Sequence, residues 1–249
     1  VDITLSFSRV STYLECPYKF FLAYIVGLPG IPRSYFSFGK SVHAALEEFH
    51  RPKLLPSDSD VEYLLSLYEK YWISEGFPDV ETELRTKDEG RSILIGYHNN
   101  LAGNLPRVAE VEMNFRLKLG DIDITGYIDR IDQNEDGSVS LVDYKTSKSI
   151  PSTLEDLDRL QLSIYSLAIS TLWNVKVRQA SNLYLRQMVW RGFEPTLADI
   201  DMANETIQKV AKNIGEKQFD RCPNRYCQYC DFYQGCQGTN NVIHIEESF

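Results

Sequence analysis

The feature that most restricts how this chain can fold is a change of period at Val108. Upstream of it, apolar residues recur at helical spacing. From Val108 onward they alternate through three consecutive segments, Val108–Leu119, Ile122–Ile131 and Val139–Lys145. Turn-forming stretches separate them, Leu119-Gly120-Asp121 and then Asn134-Glu135-Asp136-Gly137. Strands joined this tightly predict an antiparallel meander. Helical spacing returns over Leu154–Leu172, Ala180–Trp190 alternates as a fourth strand, and Leu197–Gln218 predicts a last long helix. Before the meander, Ser8 suits an N-cap for a helix through Val10, Tyr13 and Leu14, and Pro17 should interrupt it at Cys16. Further helices are expected around Phe20, Phe21 and Tyr24, over Phe38–His50, and over 60–75 and 88–104 with a break at Gly76-Phe77-Pro78. The expected class is α/β, a mixed-sheet core with an N-terminal helical elaboration.

Composition sets the broad limits. At 249 residues, 43% hydrophobic and 24% charged, the chain can bury a substantial core. Its longest apolar stretch, Phe20 to Pro29, is too short to span a bilayer, and the start lacks a basic-then-apolar signal pattern, so a cytoplasmic protein without a membrane partner is expected. A net charge of −9 disfavours sequence-blind coating of duplex DNA. It is compatible with carboxylates that hold divalent cations against a phosphate.

The candidate chemistry lies in the meander. Alternation places Asp143 and Lys145 on one face of a strand, and a hairpin at Asn134–Gly137 would bring Asp129 within reach of Asp143. Two carboxylates and an ammonium at one place fit phosphodiester hydrolysis: hard divalent ions take carboxylate oxygens, activate water and stabilise the leaving oxygen, while a lysine orients the water or offsets charge in the transition state. On these residues alone, a solvated hairpin face with a surface ion pair is an equal alternative. Upstream, His43 and Glu47 sit one turn apart on a helix face.

Gly126-Tyr127-Ile128-Asp129-Arg130-Ile131-Asp132 followed by Asp143-Tyr144-Lys145-Thr146 resembles the core of the PD-(D/E)XK nuclease superfamily, in its RecB/AddB-like branch. Ser6-Phe7-Ser8 through Tyr13, Cys16 and Pro17 is similar to the branch's opening helix, Gly39…His43 to its histidine motif, and Gln161…Tyr165 to the helix after its DxK strand. Each motif is weak alone; five in order are specific. The resemblance implies a restriction-endonuclease-like core in a single domain over 1–249. Residues 1–107 would be mainly helical, 108–218 the nuclease core, and 219–249 a cysteine-rich tail packing back on the N-terminus. It further implies that Asp129, Asp143, His43 and the Tyr144 carbonyl hold Mg²⁺ or Mn²⁺, that Lys145 serves the attacking water, and that Gln161 and Tyr165 support the site or contact DNA. Either Glu110 or Glu112 could be the upstream acid.

Two further motifs are near misses. Asp132 to Gly137 with Asp143 at the twelfth position fits a calcium-binding EF-hand loop, yet its flanks alternate where helices are required. Gly39-Lys40-Ser41 ends like a phosphate-binding P-loop, but Ser34 stands where a glycine is needed and no strand precedes it.

Five cysteines are present, Cys16 alone and Cys222, Cys227, Cys230 and Cys236 near the end. In a cytosolic protein such clustering favours metal or cluster binding over disulfides. The four late cysteines could make a zinc site. The resemblance implies instead a [4Fe–4S] cluster on Cys16, Cys227, Cys230 and Cys236, stapling the two ends of the chain and leaving Cys222 free.

The leading functional expectation is a metal-dependent deoxyribonuclease, an exonuclease on single-stranded DNA or DNA ends, serving recombination, repair, viral DNA processing or CRISPR adaptation. A helicase, recombination or CRISPR protein is the expected partner. Lys148, Arg159, Arg186 and Arg191 could line a strand path. The alternative is a non-catalytic DNA-end-binding or assembly module, against which the intact Asp129, Asp143 and Lys145 count. A third reading, a zinc-ribbon or ferredoxin-like protein, leaves these residues and His43 unexplained.

Overall fold

The computed structural model describes residues 3–51, 59–101, 103 and 105–238. They form two compact units, one taking the chain up to residue 7 and 32–208, the other 8–31 and 209 onward.

The first unit is built on a six-stranded mixed sheet: β1 (Ile3–Ser6), β2 (Val108–Leu119), β3 (Ile122–Gln133), β4 (Val139–Lys145), β5 (Val177–Tyr184) and β6 (Val189–Phe193). β2 follows one edge of β3 along nearly its whole length, antiparallel, from Val108↔Asp132 to Leu119↔Ile122. The other edge of β3 is divided. β1 pairs there in parallel, from Ile3↔Ile122 to Ser6↔Thr125, and β4 pairs antiparallel, from Arg130↔Val142 to Gln133↔Val139. Residues 126–129 fall between these ladders. β4 runs on past Val142 paired only with β5, with Asp143↔Asn182 and Lys145↔Tyr184 in register. β3 and β4 therefore separate just where the two acidic residues of the motif lie.

Helices α3 (Ser34–His50), α4 (Val61–Lys70) and α5 (Val80–Leu101) share a core with the sheet. In α3 the buried Phe38, Val42, Ala45, Leu46 and Phe49 follow i, i+4, i+7, i+8, i+11 spacing and meet Val142 and Tyr144 of β4 and Leu183 of β5. α4 is capped by Asp60, whose carboxylate accepts the Tyr63 N–H at 2.7 Å. α6 (Asp156–Trp173) is buried over Leu160–Ser166 and ends at a left-handed Asn174. α7 (Leu197–Gly215) starts in a capping box, the Asp199 carboxylate accepting the Thr196 N–H at 2.9 Å.

The second unit holds α1 (Phe7–Glu15) beyond its first residue, α2 (Pro17–Phe20) running into a π-helical turn (Phe21–Ile25), and α8 (Tyr233–Gly238). Its early and late segments are joined by the Tyr18 N–H donating to the Asp220 carbonyl (3.2 Å), the Tyr13 hydroxyl donating to the Gln218 carbonyl (2.6 Å), and Phe21 packing on Phe219.

Several expectations are corrected. Residues 180–190 are not one strand: β5 and β6 form a hairpin around Leu185–Met188, with Met188 at φ +54°. Ser8 is not an N-cap but lies inside the first turn of α1, which begins at Phe7 directly after β1. The calcium-like segment is a tight strand connection in which Asp136 accepts from the Ser138 N–H and pairs with Arg178, both at 3.0 Å. Gly39-Lys40-Ser41 lies within α3. No helix among the described residues is long and apolar enough to cross a membrane.

Candidate metal centre

The fork between β3 and β4 gathers side chains from α3, the meander and α6. Ligand atoms of His43, Glu112 and Asp129 all lie within 4.8 Å of one another, the one such group of three or more His, Cys, Asp or Glu among the described residues. His43 approaches with Nδ1 3.4 Å from Asp129 Oδ1. The other Asp129 oxygen accepts the Tyr144 N–H at 2.6 Å, replacing the ladder bond lost where β3 and β4 part. Glu112 adopts φ +44° in mid-strand, a strained conformation for a residue with a Cβ, and this turns its carboxylate to the group. Of the two candidate upstream acids, Glu112 thus joins the site; Glu110 is exposed. Alternation alone could not separate them.

Asp143 and Lys145 meet across the second half of the fork. Lys145 Nζ is 2.8 Å from Asp143 Oδ2 and donates to Gln161 Oε1 at 2.9 Å. The Gln161 amide donates to Asp143 Oδ1 (3.0 Å) and to the Tyr165 hydroxyl (2.9 Å). One helical turn of α6 therefore fixes both members of the pair. Asp143 itself falls outside the three-residue group. Tyr144 supplies its N–H to Asp129 while its ring is buried on the other side, where its hydroxyl accepts from Arg130 Nη1 at 2.9 Å. Arg130 also donates to the Tyr97 hydroxyl (2.7 Å) and to Asp132 (3.0 Å), a buried cation holding the floor beneath the ligands.

A residue that no sequence motif marks also belongs here. Asp158, one turn before Gln161, lies 3.5 Å from Lys145 Nζ and accepts the Tyr184 hydroxyl at 3.2 Å. Its place in the helix offers no distinguishing spacing, and Tyr184 reaches it only because β5 lies in register with β4.

The electrostatics are strained in a consistent direction. Burial disfavours the His43 imidazolium, but Asp129, with Asp143 and Glu112 beyond it, outweighs this and raises His43 to about 9. Burial and the neighbouring Asp129 push Glu112 up to about 7. Burial raises Asp143 as well, helped by Asp129 and opposed by Lys145. Asp129 is held low despite its burial by His43, the Tyr144 amide and Lys145. Burial opposes the Lys145 charge, yet Asp143 and Asp158 keep it protonated well above the ordinary lysine range. The buried Tyr165 phenol is raised too. Buried carboxylates in excess of nearby cations are what a divalent ion relieves.

The four basic residues expected along a strand path divide. Lys148 is exposed. Arg159 is instead tied to Asp199 (2.6 Å), Arg186 to Glu89 and the Thr146 carbonyl (2.7 Å), and Arg191 to the Pro151 carbonyl (3.2 Å).

Within the second unit, Cys16, Cys222, Cys227, Cys230 and Cys236 all line one cavity of about 380 Å³ with Leu22, Phe232 and Tyr233. None is in a disulfide. Cys16 sits in extended backbone between α1 and α2, and the Asn224 N–H donates to Cys227 Sγ at 3.2 Å. A tetrahedral zinc thiolate site needs sulfurs about 3.8 Å apart. Among the described residues no three cysteine sulfurs lie within 4.8 Å of each other. The donor set is too widely spaced for one ion, as it stands, and fits a larger group.

The family model described as the PD-(D/E)XK nuclease superfamily matches residues 4–237. Two curated streptococcal proteins, each named as the second (B) chain of an ATP-dependent helicase/deoxyribonuclease, are similar to this chain. The one from Streptococcus mutans is 29% identical over 234 residues, covering 86% of this chain and 21% of the relative. The one from Streptococcus uberis is 27% identical over 157 residues, covering 59% and 14%. The chain thus spans about a fifth or less of the curated relatives it matches. Among solved structures, a Eubacterium rectale protein provisionally called an exonuclease shares the fold, with TM-score 0.60 and 11% identity over 99% of this chain and 91% of that one.

Proposed function

Because the chain belongs to the PD-(D/E)XK nuclease superfamily, we propose that the fork between β3 and β4 is the centre of a Mg²⁺- or Mn²⁺-dependent deoxyribonuclease acting on single-stranded DNA or DNA ends. The observation that carries this reading is the convergence of His43, Glu112 and Asp129 beside the Asp143–Lys145 pair. His43, Glu112 and Asp129 would hold the ion, with Asp143 and the Tyr144 carbonyl completing its oxygen ligands. A divalent ion there supplies Lewis acidity, activating water and polarising the phosphate. Lys145, held cationic by Asp143 and Asp158, acts as a hydrogen-bond donor and fixed charge toward the phosphate, not as a base. Gln161 sets the Lys145 and Asp143 orientations, and Tyr165 sets Gln161.

In the second unit, Cys16, Cys227, Cys230 and Cys236 would carry a [4Fe–4S] cluster, whose role is to hold early and late segments together; Cys222 remains a fifth thiol at the cavity. The two segments joined in this way would make the chain one nuclease domain. The names of the two streptococcal relatives support a helicase-associated role in the processing of DNA ends, in a cytoplasmic setting.

The substrate reading is tested by supplying linear end-labelled and circular single-stranded DNA with Mn²⁺ or with EDTA. Stepwise loss of the linear strand in Mn²⁺ alone, with the circle spared, is expected. Cutting of the circle at the same rate would replace an exonuclease by an endonuclease.

A further inference from the structure

α3 carries more than His43. Phe36, Lys40 and His43 lie at i, i+4 and i+7, so they share one face of the helix, with about 10 Å of axial rise from Phe36 to His43. Phe36 is 56% exposed and Tyr35 58% exposed, an unusual cost for two adjacent aromatics. Their rings lie together with centroids 4.4 Å apart, tilted by 46°, so Tyr35 braces the Phe36 ring. Lys40 is exposed between Phe36 and the metal group. Gly39, on the inner side of this face, lets α3 approach the chain just after Lys145: a Cβ there would stand 3.4 Å from Thr146 Oγ1.

We propose that Phe36, braced by Tyr35, seats an unpaired nucleobase and that Lys40 holds the adjoining phosphate, so that this face of α3 leads a single DNA strand to the group at His43. The proposal rests on the nuclease reading above and adds a base-binding position to it. An aromatic ring stacks on any base, and duplex DNA keeps its bases stacked on each other, so such a seat selects unpaired ends without reading sequence. With about 3.4 Å per stacked nucleotide, the seated base lies within about three nucleotides of the cleaved bond. A purely apolar protein partner is the competing occupant of Phe36; a lysine between the ring and the acidic fork favours a polyanion.

The test uses the intact chain and fluorescein-labelled oligothymidylate in Ca²⁺, with abasic positions placed one at a time and affinity read by anisotropy. One abasic position should weaken binding about tenfold. Phe36→Ala should weaken the unmodified strand by a similar factor and abolish the penalty at that position, whereas Phe36→Trp should retain it. Lys40→Gln should lower the salt dependence by about one phosphate contact, a slope change of about 0.7. Equal penalties in wild type and Phe36→Ala, or none at any position, would overturn the proposal. Hydrolysis of the same oligonucleotide in Mn²⁺ separates the two claims: cleavage without a Phe36-dependent penalty removes the base seat alone, and a wild type that neither binds nor cleaves removes the nuclease reading with it.

Discussion

At the scale of single residues, the fork works by holding charges where water would scatter them. Lys145 has three partners, Asp143, Gln161 and Asp158, and the last is itself held by Tyr184. Asp158 is thus a positioning residue for Lys145. Asp158→Asn should reduce kcat on single-stranded DNA about ten- to a hundredfold with KM little changed, and Tyr184→Phe should do the same more mildly. A rise in KM at constant kcat would instead mark Asp158 as a strand contact. The motif residues Asp129, Asp143, Lys145, Gln161 and His43 were legible in the sequence because they sit at fixed spacing on regular elements. The choice of Glu112 was not, since it depends on one left-handed residue inside a strand.

At the scale of elements, alternation identified β2, β3 and β4, but the edge of β3 shared between β1 and β4 lay beyond it. β1 is four residues long and pairs across more than a hundred residues of chain, so no local pattern announces it. The β5–β6 hairpin was equally hidden. Its turn, Leu185-Arg186-Gln187-Met188, has no glycine, asparagine or proline, and Arg186 is held in it by the Thr146 carbonyl. Helices were read more securely where capping was visible. In the box that opens α7, Asp199 is held below the usual carboxylate range: its burial is outweighed by bonds from Thr196 and Arg159. Its stabilising contribution is therefore complete above its ordinary pKa of 3.8 and is lost as pH falls through the lower folded value. Asp199→Asn should cost about 1 kcal/mol near neutrality by urea denaturation and less under strong acid. A deficit that stays constant through the acid range would show that the carboxylate charge contributes nothing.

At the scale of the molecule, two chemistries occupy two compact units: an oxygen-rich fork in one and a five-cysteine cavity in the other. The sequence linked Cys16 to the late cysteines only through family resemblance, since some 200 residues separate them. Their common cavity supplies the physical link. Protein prepared without oxygen should absorb near 400 nm, and Cys16→Ala should remove that band and lower the thermal midpoint. A colourless preparation with one equivalent of zinc would contradict the cluster. The overall charge of −9 argued against nucleic acid only while its carboxylates were unplaced; several of them now line the fork that would hold the ion.

The most direct test of the central claim is the initial rate of end-label release from single-stranded DNA in Mn²⁺, measured for the wild type, Asp143→Ala and Lys145→Ala. The wild type should hydrolyse the strand and stop on chelation, and each variant should lose at least about a hundredfold in rate while keeping its folded secondary structure. Undiminished hydrolysis by both variants would place the chemistry elsewhere and contradict the account.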